Sequence, residues 1–237
     1  MRTLAILPVK SFGAAKQRLM PALAPGSRQA LAQAMFTDVL TSLRRVEALD
    51  SVAVVTADPV AGAAARGEGV LVLRDAAQAG QSAAAAIGIA HALGEGFERV
   101  LLVPGDTPLL DPGEVASLLA APRPVSIVPD RHGTGTNALV LSPPDAIAPS
   151  FGPGSLKRHV AAAEAVGVSS AVEKVPSLML DVDTGADLAA LKAALAERRG
   201  HAPATREALR RLSRSSRVGP FMHPYGASEG PHSATPA

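Results

Sequence analysis

Val100-Leu101-Leu102-Val103-Pro104-Gly105-Asp106 is the stretch of this sequence that decides the fold. Four consecutive aliphatic residues predict a strand that is buried on both faces, as in parallel sheets covered by helices. The proline and glycine that follow end the strand. Ligands of open α/β sheets bind beyond the carboxyl ends of the strands. We therefore expect Asp106 to face a ligand crevice.

Apolar runs of the same kind predict the rest of the sheet. Strands are predicted at residues 3–9, 51–56, 70–73, 99–104, 125–129 and 138–141, and an extended segment at 171–180. Helices are predicted at residues 27–46, 82–93, 155–166 and 184–197, and after a cap at Asp111. This alternation predicts an α/β fold with a mostly parallel central sheet and helices on both faces.

Composition excludes several classes of function. The 237 residues include no cysteine, so disulfides, thiolate zinc sites and a cysteine nucleophile are excluded. Aromatic residues make up only 3%, which argues against base stacking and a nucleic-acid partner. No apolar run is long enough to cross a bilayer, and the first residues lack the features of a signal peptide. We expect a cytoplasmic protein without membrane contact.

Charge and composition change near the end of the chain. The formal net charge is +2, yet residues 198–237 carry seven Arg against two Glu, so the body is mildly acidic. After Gly200 the hydrophobic pattern fades, although residues 206–217 could form a frayed basic helix. We predict one folded domain over residues 1–199 and a disordered tail over residues 200–237.

A cationic loop follows the first strand. Pro8 and Val9 lead into a stretch of small residues that holds Lys10, Lys16 and Arg18. Backbone N–H groups of such a loop can approach phosphates closely, and the cations would neutralise their charge. The Gly-Lys-Ser/Thr ending of a Walker A loop is absent. A solvated loop with incidental cations is the alternative and, for this segment alone, the simpler interpretation.

Carboxylates follow two segments of the predicted sheet. Asp106 ends one strand, while Asp181 and Asp183 alternate along Leu180-Asp181-Val182-Asp183-Thr184 and so share a face. Like charges on one face repel each other unless a cation lies between them. Oxygen ligands of this kind suit Mg²⁺ that bridges nucleotide phosphates. A turn role for Asp106 and helix capping before Thr184 are the alternatives.

Two further loops are rich in glycine and hydroxyl groups. They are Gly133-Thr134-Gly135-Thr136-Asn137 and Phe151-Gly152-Pro153-Gly154-Ser155, and the second opens a helix. Free N–H groups at a helix N-terminus bind anions, so the two loops together could hold a small phosphorylated acid. Ordinary turn chemistry is the alternative, and for either loop alone it is the simpler one.

These segments occur in an order that resembles the phospholactate and phosphoenolpyruvate guanylyltransferases. The matching motifs lie at residues 8–19, 104–110, 133–139, 151–155 and 180–184, and the resemblance covers residues 3–198. Any one motif is weak, whereas five in one order are specific. The resemblance implies the MobA-like, nucleotide-diphospho-sugar transferase type of fold, which is Rossmann-like.

The resemblance also implies a reaction. The family joins GMP from GTP to the phosphate of a three-carbon phospho-acid and releases pyrophosphate. The acid is phosphoenolpyruvate, 2-phospho-L-lactate or 3-phospho-D-glycerate, of which we expect the first. The product passes to the transferase that attaches it to the deazaflavin Fo in coenzyme F(420) biosynthesis. A homodimer would be in keeping with the family.

Roles of individual residues follow from the same resemblance. Those expected to bind the nucleotide are Pro8, Val9, Lys10, Lys16, Arg18, Asp58, Gln81 and Ser82. Those expected to bind the acid are Thr136, Asn137, Gly152 and Ser155. Asp106 and Asp183 would hold Mg²⁺, and Lys16, Arg18 and Asp106 would be catalytic. Relatives often show Gly-Leu-Asn where this chain has Gly80-Gln81-Ser82, which leaves the choice of base open.

Two other functions stay open at this level. The same fold serves sugar-phosphate and molybdopterin nucleotidyltransferases. A non-catalytic regulator that binds GTP would use the same nucleotide site. Substrate profiling distinguishes the first alternative, and release of pyrophosphate distinguishes the second.

Overall fold

The computed structural model describes residues 1–14, 16–198 and 200–215. The strands are β1 (Thr3–Val9), β2 (Ser51–Thr56), β3 (Leu71–Arg74), β4 (Arg99–Leu102), β5 (Val125–Pro129), β6 (Thr136–Leu141) and β7 (Ser170–Val172). The α-helices are α1 (Pro25–Leu43), α2 (Pro59–Gly67), α3 (Gln81–Gly94), α4 (Pro112–Ala120), α5 (Ser155–Ala165), α6 (Gly185–Glu197) and α7 (Pro203–Ser215). Within these described ranges, no helix has the length and apolar character needed to span a membrane.

The described strands form a sheet in the order β3-β2-β1-β4-β6-β5-β7. β1 pairs in parallel with β2 and β4, and β2 pairs in parallel with β3. β6 runs antiparallel to β4 and β5, while β7 is parallel to β5. The prediction of a mostly parallel sheet is confirmed. Because β6 is antiparallel to β4, it begins at the edge where β1 and β4 end.

Alternation along the strands divides the apolar core between the two faces of the sheet. On one face, Ala5 and Leu7 of β1 pack with residues of α1, α2 and α4. On the other face, Leu4 and Ile6 pack with residues of α3 and α5. Helices therefore cover both faces, as the continuous apolar runs predict.

Helix α3 approaches β1 closely at Gly88. A Cβ atom at this position would lie 2.4 Å from Cγ2 of Ile6, and Ile6 is fully buried in the sheet. A β-branched side chain has few alternative rotamers, so Ile6 has little freedom to move aside. The packing of α3 on the sheet thus requires a residue without a side chain.

We expect Gly88→Ala to lower the free energy of unfolding by about 1–3 kcal/mol, because the added methyl group overpacks this contact. Gly94→Ala is the matched control in the same helix, since nothing lies within 4 Å of the added Cβ atom. The control should be neutral or slightly stabilising. Denaturant unfolding followed by circular dichroism measures both, and equal stability of the two variants would contradict the close packing.

The predicted extended segment at residues 171–180 is mostly wrong. The strand ends at Val172. Val175 and Leu178 are buried in the core, but a turn joins them through a backbone hydrogen bond. The N–H of Ser177 donates to the carboxylate of Glu114 rather than to a neighbouring strand. An apolar run can supply core residues without pairing in a sheet.

The prediction of a disordered tail from residue 200 is wrong over the part that the structure describes. Residues Pro203–Ser215 form α7, and Leu209 packs with residues of α1 and α6 in a third apolar cluster. One apolar face is sufficient to dock a helix whose other face is strongly charged. Residues 216–237 of the predicted tail lie outside the described residues.

Asp38 of α1 fixes the start of α7. Its buried carboxylate accepts hydrogen bonds from the backbone N–H groups of Ala204 (3.1 Å) and Thr205 (2.7 Å). We expect Asp38→Ala to destabilise the fold by about 1–2 kcal/mol, the usual effect of losing an N-terminal cap. Thr37→Ala, at an exposed neighbour on α1, should leave stability nearly unchanged. Hydrogen exchange locates the effect, and unaltered protection of α7 in Asp38→Ala would refute the capping role.

Candidate active site

A cleft of about 970 Å³ opens at the sheet edge where β1 and β4 end and β6 begins. Its volume suits a small-molecule ligand. Most of the predicted site residues line it: Pro8, Val9, Lys10, Lys16, Arg18, Gln81, Asp106, Thr136, Asn137, Gly152, Ser155 and Asp183. The structure thus brings the cationic loop, the carboxylates and the glycine-rich loops around one space.

Lys16 lies at the centre of the charged groups of the cleft. Its ammonium bonds the carboxylate of Asp106 and, at 2.9 Å, Oδ1 of Asp183, and its side chain is 7% exposed. Burial lowers the pKa of Lys16, but the charges of Asp106 and Asp183 outweigh burial, so the pKa lies above its usual value. The backbone of Lys16 is left-handed, with φ 59°. That conformation is uncommon for a residue with a side chain and points to a functional constraint.

Arg18 extends this network toward solvent. Its guanidinium bonds the carboxylate of Asp183, and its side chain is 70% exposed. The sequence predicts Lys16 and Arg18 beside phosphates, whereas the structure places both cations on carboxylates. Each cation of this network is therefore paired with a carboxylate. An incoming phosphate can accept hydrogen bonds from the cations, and its counter-ion can bind the carboxylates.

Asp181 adds a third carboxylate to the same region. Burial raises the pKa of Asp181 to about 6, and the charges of Asp106 and Asp183 contribute in the same direction. Oδ1 of Asp106 is buried and, within the described residues, has no hydrogen-bond partner. The described part of the chain holds no ready cluster of three His, Asp or Glu side chains around one point. A divalent cation that takes its other ligands from phosphates and water fits the Asp106 and Asp183 pair.

Two residues that the sequence predicts to bind the nucleotide, Asp58 and Ser82, make contacts within the protein. Asp58 caps α2 and accepts a hydrogen bond from the N–H of Phe12 (2.9 Å), so it anchors the cationic loop from outside the cleft. The Asp-Pro pair at the start of α2 is a sequence signal for this role. The hydroxyl of Ser82 accepts a hydrogen bond from the N–H of Phe151 (2.8 Å). Of the residues expected to contact the base, Gln81 lines the cleft.

The two glycine-rich loops bring neutral polar groups to the cleft. Gly154 adopts a left-handed conformation with φ 73° immediately before α5. Ser155 is 1% exposed, and its hydroxyl has no hydrogen-bond partner among the described residues. Asn137 donates to the carbonyl of Leu178 (2.9 Å) and to Oδ1 of Asp181 (3.2 Å). An unpartnered hydroxyl at a helix N-terminus suits an anionic oxygen.

Two residues of α5 that the sequence interpretation missed contact these loops. Arg158 donates to carbonyl groups of residues 150–153 and so holds the loop before α5. His159 is fully buried and contacts the Thr136 hydroxyl and the N–H of Ser150. Burial lowers the pKa of His159 to about 4, with the charge of Arg158 adding to the effect. Neither residue lies in a glycine-rich or acidic motif, so the sequence pattern carries no signal for them.

Known proteins resemble this chain over most of its length. The profile of a family described as guanylyl transferase CofC like matches residues 3–218. A phosphoenolpyruvate guanylyltransferase from Conexibacter woesei is 51% identical over 220 residues, which are 91% of this chain and 99% of the relative. Another, from Sphaerobacter thermophilus, is 38% identical over 206 residues, which are 86% of this chain and 95% of the relative.

A solved structure supports the fold independently. A protein from Desulfovibrio desulfuricans G20, described as a nucleotide-diphospho-sugar transferase, aligns with a TM-score of 0.73 over 92% of this chain and 98% of its own. At 18% identity, this likeness bears on the fold alone. The predicted fold and the predicted family are both confirmed. The chain is a nucleotidyltransferase and belongs to the CofC-like guanylyl transferase family.

Proposed function

We propose that this chain transfers GMP from GTP to the phosphate of phosphoenolpyruvate and releases pyrophosphate, as a step toward coenzyme F(420). The observation that carries the proposal is the 51% identity to the Conexibacter woesei phosphoenolpyruvate guanylyltransferase, which spans nearly the whole of both chains. The cleft supports the proposal because it brings cations, carboxylates and hydroxyl groups around one space. The product would pass to the transferase that attaches it to Fo.

The groups that line the cleft suit the two substrates. Lys10, Lys16 and Arg18 offer positive charge to the triphosphate of GTP. Gln81, at the start of α3, carries an amide that can bond the edge of a base. Thr136 and Ser155 offer hydroxyl donors to the phosphate or carboxylate of the acid.

The proposed reaction is an in-line displacement at phosphorus. An oxygen of the acid's phosphate attacks the α-phosphorus of GTP, and a new P–O bond forms. The bond from that phosphorus to the oxygen bridging the β-phosphate breaks, and pyrophosphate leaves with the electron pair. A phosphate is already anionic near neutral pH, so no general base is required. Lys16 and Arg18 would offset charge on the leaving group, and the cleft would align the two phosphates.

Asp106 and Asp183 would hold Mg²⁺, since their oxygens are of the type this ion prefers and one oxygen of Asp106 is unpartnered. When bound, the ion would neutralise phosphate charge and polarise the reacting phosphoryl group. Lys16 contacts the same two carboxylates. Lys16 therefore keeps the pair close together against their mutual repulsion.

A substrate matrix tests the proposed function. The purified full chain is incubated with Mg²⁺, each of four nucleoside triphosphates and each of the three phospho-acids, with Fo and the next transferase added as a trap. We expect pyrophosphate release to be fastest with GTP and phosphoenolpyruvate. A parallel set of reactions replaces the acid with a sugar 1-phosphate, and faster turnover there than with all three acids would favour the sugar-phosphate alternative. Binding of GTP without pyrophosphate release under any condition would contradict the proposal.

A further inference from the structure

His159 of α5 is buried and contacts Thr136, which lines the cleft. Its Nε2 atom is 2.9 Å from the backbone nitrogen of Ser150, and its Nδ1 atom is 3.0 Å from Oγ1 of Thr136. The ring stacks edge-on against Phe151, with 5.3 Å between ring centroids. The orientation of the imidazole is therefore fixed from three sides.

The direction of one hydrogen bond determines the direction of the other. A backbone N–H can only donate, so Nε2 of His159 must be the unprotonated nitrogen that accepts from Ser150. The proton of the neutral ring then lies on Nδ1 and is donated to the oxygen of Thr136. A doubly protonated ring would set an Nε2–H group against the N–H of Ser150. Burial lowers the pKa of His159 and so also favours the neutral ring over the doubly protonated one.

We infer that His159 is a positioning residue that turns the hydroxyl hydrogen of Thr136 toward the cleft. The oxygen of Thr136 already accepts the Nδ1–H bond, and the structure records no acceptor for the hydroxyl's own hydrogen among the described residues. Thr136 lines the cleft together with Ser155, whose buried hydroxyl also lacks a partner in the described chain. A ligand atom opposite the Thr136 hydroxyl would therefore accept a hydrogen bond from it.

This inference deepens the proposed function and rests on it for the identity of the ligand. Two hydroxyl donors, one at the start of β6 and one at the start of α5, favour a carboxylate or phosphate oxygen of the acid over a group that would itself donate. A Thr136 hydroxyl without His159 could rotate and lose that preference. His159 would then affect binding of the acid without touching it.

The tautomer of His159 is measured directly by nitrogen NMR on the full chain labelled with ¹⁵N-histidine, with His159→Gln used to assign the signals. We expect Nδ1 to be protonated and Nε2 to be unprotonated, without change between pH 8 and pH 6. An Nε2-protonated ring would overturn the inference. Because this measurement needs no substrate, it decides the direction of the hydrogen bond between His159 and Thr136 even if the proposed reaction fails.

A matched pair of variants tests the effect on the acid. The amide of Gln reaches toward the Nε2 position and that of Asn toward the Nδ1 position, so His159→Gln loses the donor to Thr136, whereas His159→Asn keeps it. We expect His159→Gln to raise KM for phosphoenolpyruvate roughly tenfold, with kcat and KM for GTP little changed. His159→Asn should recover most of that loss, which a purely structural role would not produce.

Thr136 supplies the closing test and covers the case in which the His159 variants do not fold. Thr136→Val should raise KM for phosphoenolpyruvate at least as much as His159→Gln, whereas Thr136→Ser, which retains a hydroxyl, should raise it less. The double variant with Thr136→Val and His159→Gln should have the same KM for phosphoenolpyruvate as Thr136→Val alone, because both changes remove the same interaction. Additive effects, or equal effects of Val and Ser, would overturn the inference. Absence of turnover by the wild type with all three acids would instead count against the proposed function.

Discussion

Asp106→Asn should lower kcat/KM for pyrophosphate release by about 10³-fold, because the proposed Mg²⁺ site would lose a carboxylate that holds the cation against the reacting phosphates. Asp106 lines the cleft and contacts the buried ammonium of Lys16. Its other oxygen is buried without a partner in the described chain. Asn has nearly the same size, but its neutral amide cannot balance Lys16 or bind a divalent cation as a carboxylate does. Steady-state release of pyrophosphate at saturating Mg²⁺ measures the loss.

The control for Asp106→Asn lies a few residues away in the same loop. Asp111 caps α4 through the N–H of Glu114 and does not line the cleft. Asn is an equally good N-cap, so Asp111→Asn should keep both the fold and the turnover. Thermal unfolding of both variants separates a loss of chemistry from a loss of structure. A folded Asp106→Asn variant with normal turnover would remove Asp106 from the mechanism.

Lys16→Met should be the second most damaging change, with a loss of about 10²–10³-fold in kcat/KM. The ammonium is almost fully buried between Asp106 and Asp183, where a charge interacts more strongly than in water. Met retains much of the length of the side chain but leaves the two carboxylates to repel each other. The expected loss falls on kcat and on KM for GTP rather than on KM for the acid.

Arg18→Met is the natural comparison with Lys16→Met. Arg18 bonds the same Asp183 but is largely exposed, so solvent screens its charge. We expect a loss of about tenfold or less, and one that grows smaller as salt screening increases. If Lys16→Met were no more harmful than Arg18→Met, the buried position of Lys16 would have no bearing on catalysis.

The strands were predictable because their signal is local. β1, β2 and β5 agree with their predicted bounds, since both faces of each strand are buried and the apolar run ends where the strand ends. The start of α1 was less predictable. It begins at Pro25 rather than residue 27, with proline in the first turn. The alternation of strands and helices then suffices for a mostly parallel sheet.

The site was predictable only where its motifs are local. The cationic loop and Asp106 each follow a strand, so topology brings them together. The sequence pattern does not indicate which distant side chain a given residue will contact. Lys16 and Asp183 are 167 positions apart, and Thr136 and His159 are 23 apart. Similarly, the docking of α7 depends on Asp38, which lies in α1 near the other end of the chain.

The most direct test of the central claim follows the atoms of one turnover. The wild-type chain is incubated with GTP, Mg²⁺ and phosphoenolpyruvate whose phosphate carries ¹⁸O, and the products are examined by ³¹P NMR and mass spectrometry. We predict that GMP becomes joined to the labelled phosphate through a new diphosphate linkage, with one unlabelled pyrophosphate released for each molecule formed. Formation of GDP, appearance of ¹⁸O in pyrophosphate, or no joined product would contradict guanylyl transfer to this acid.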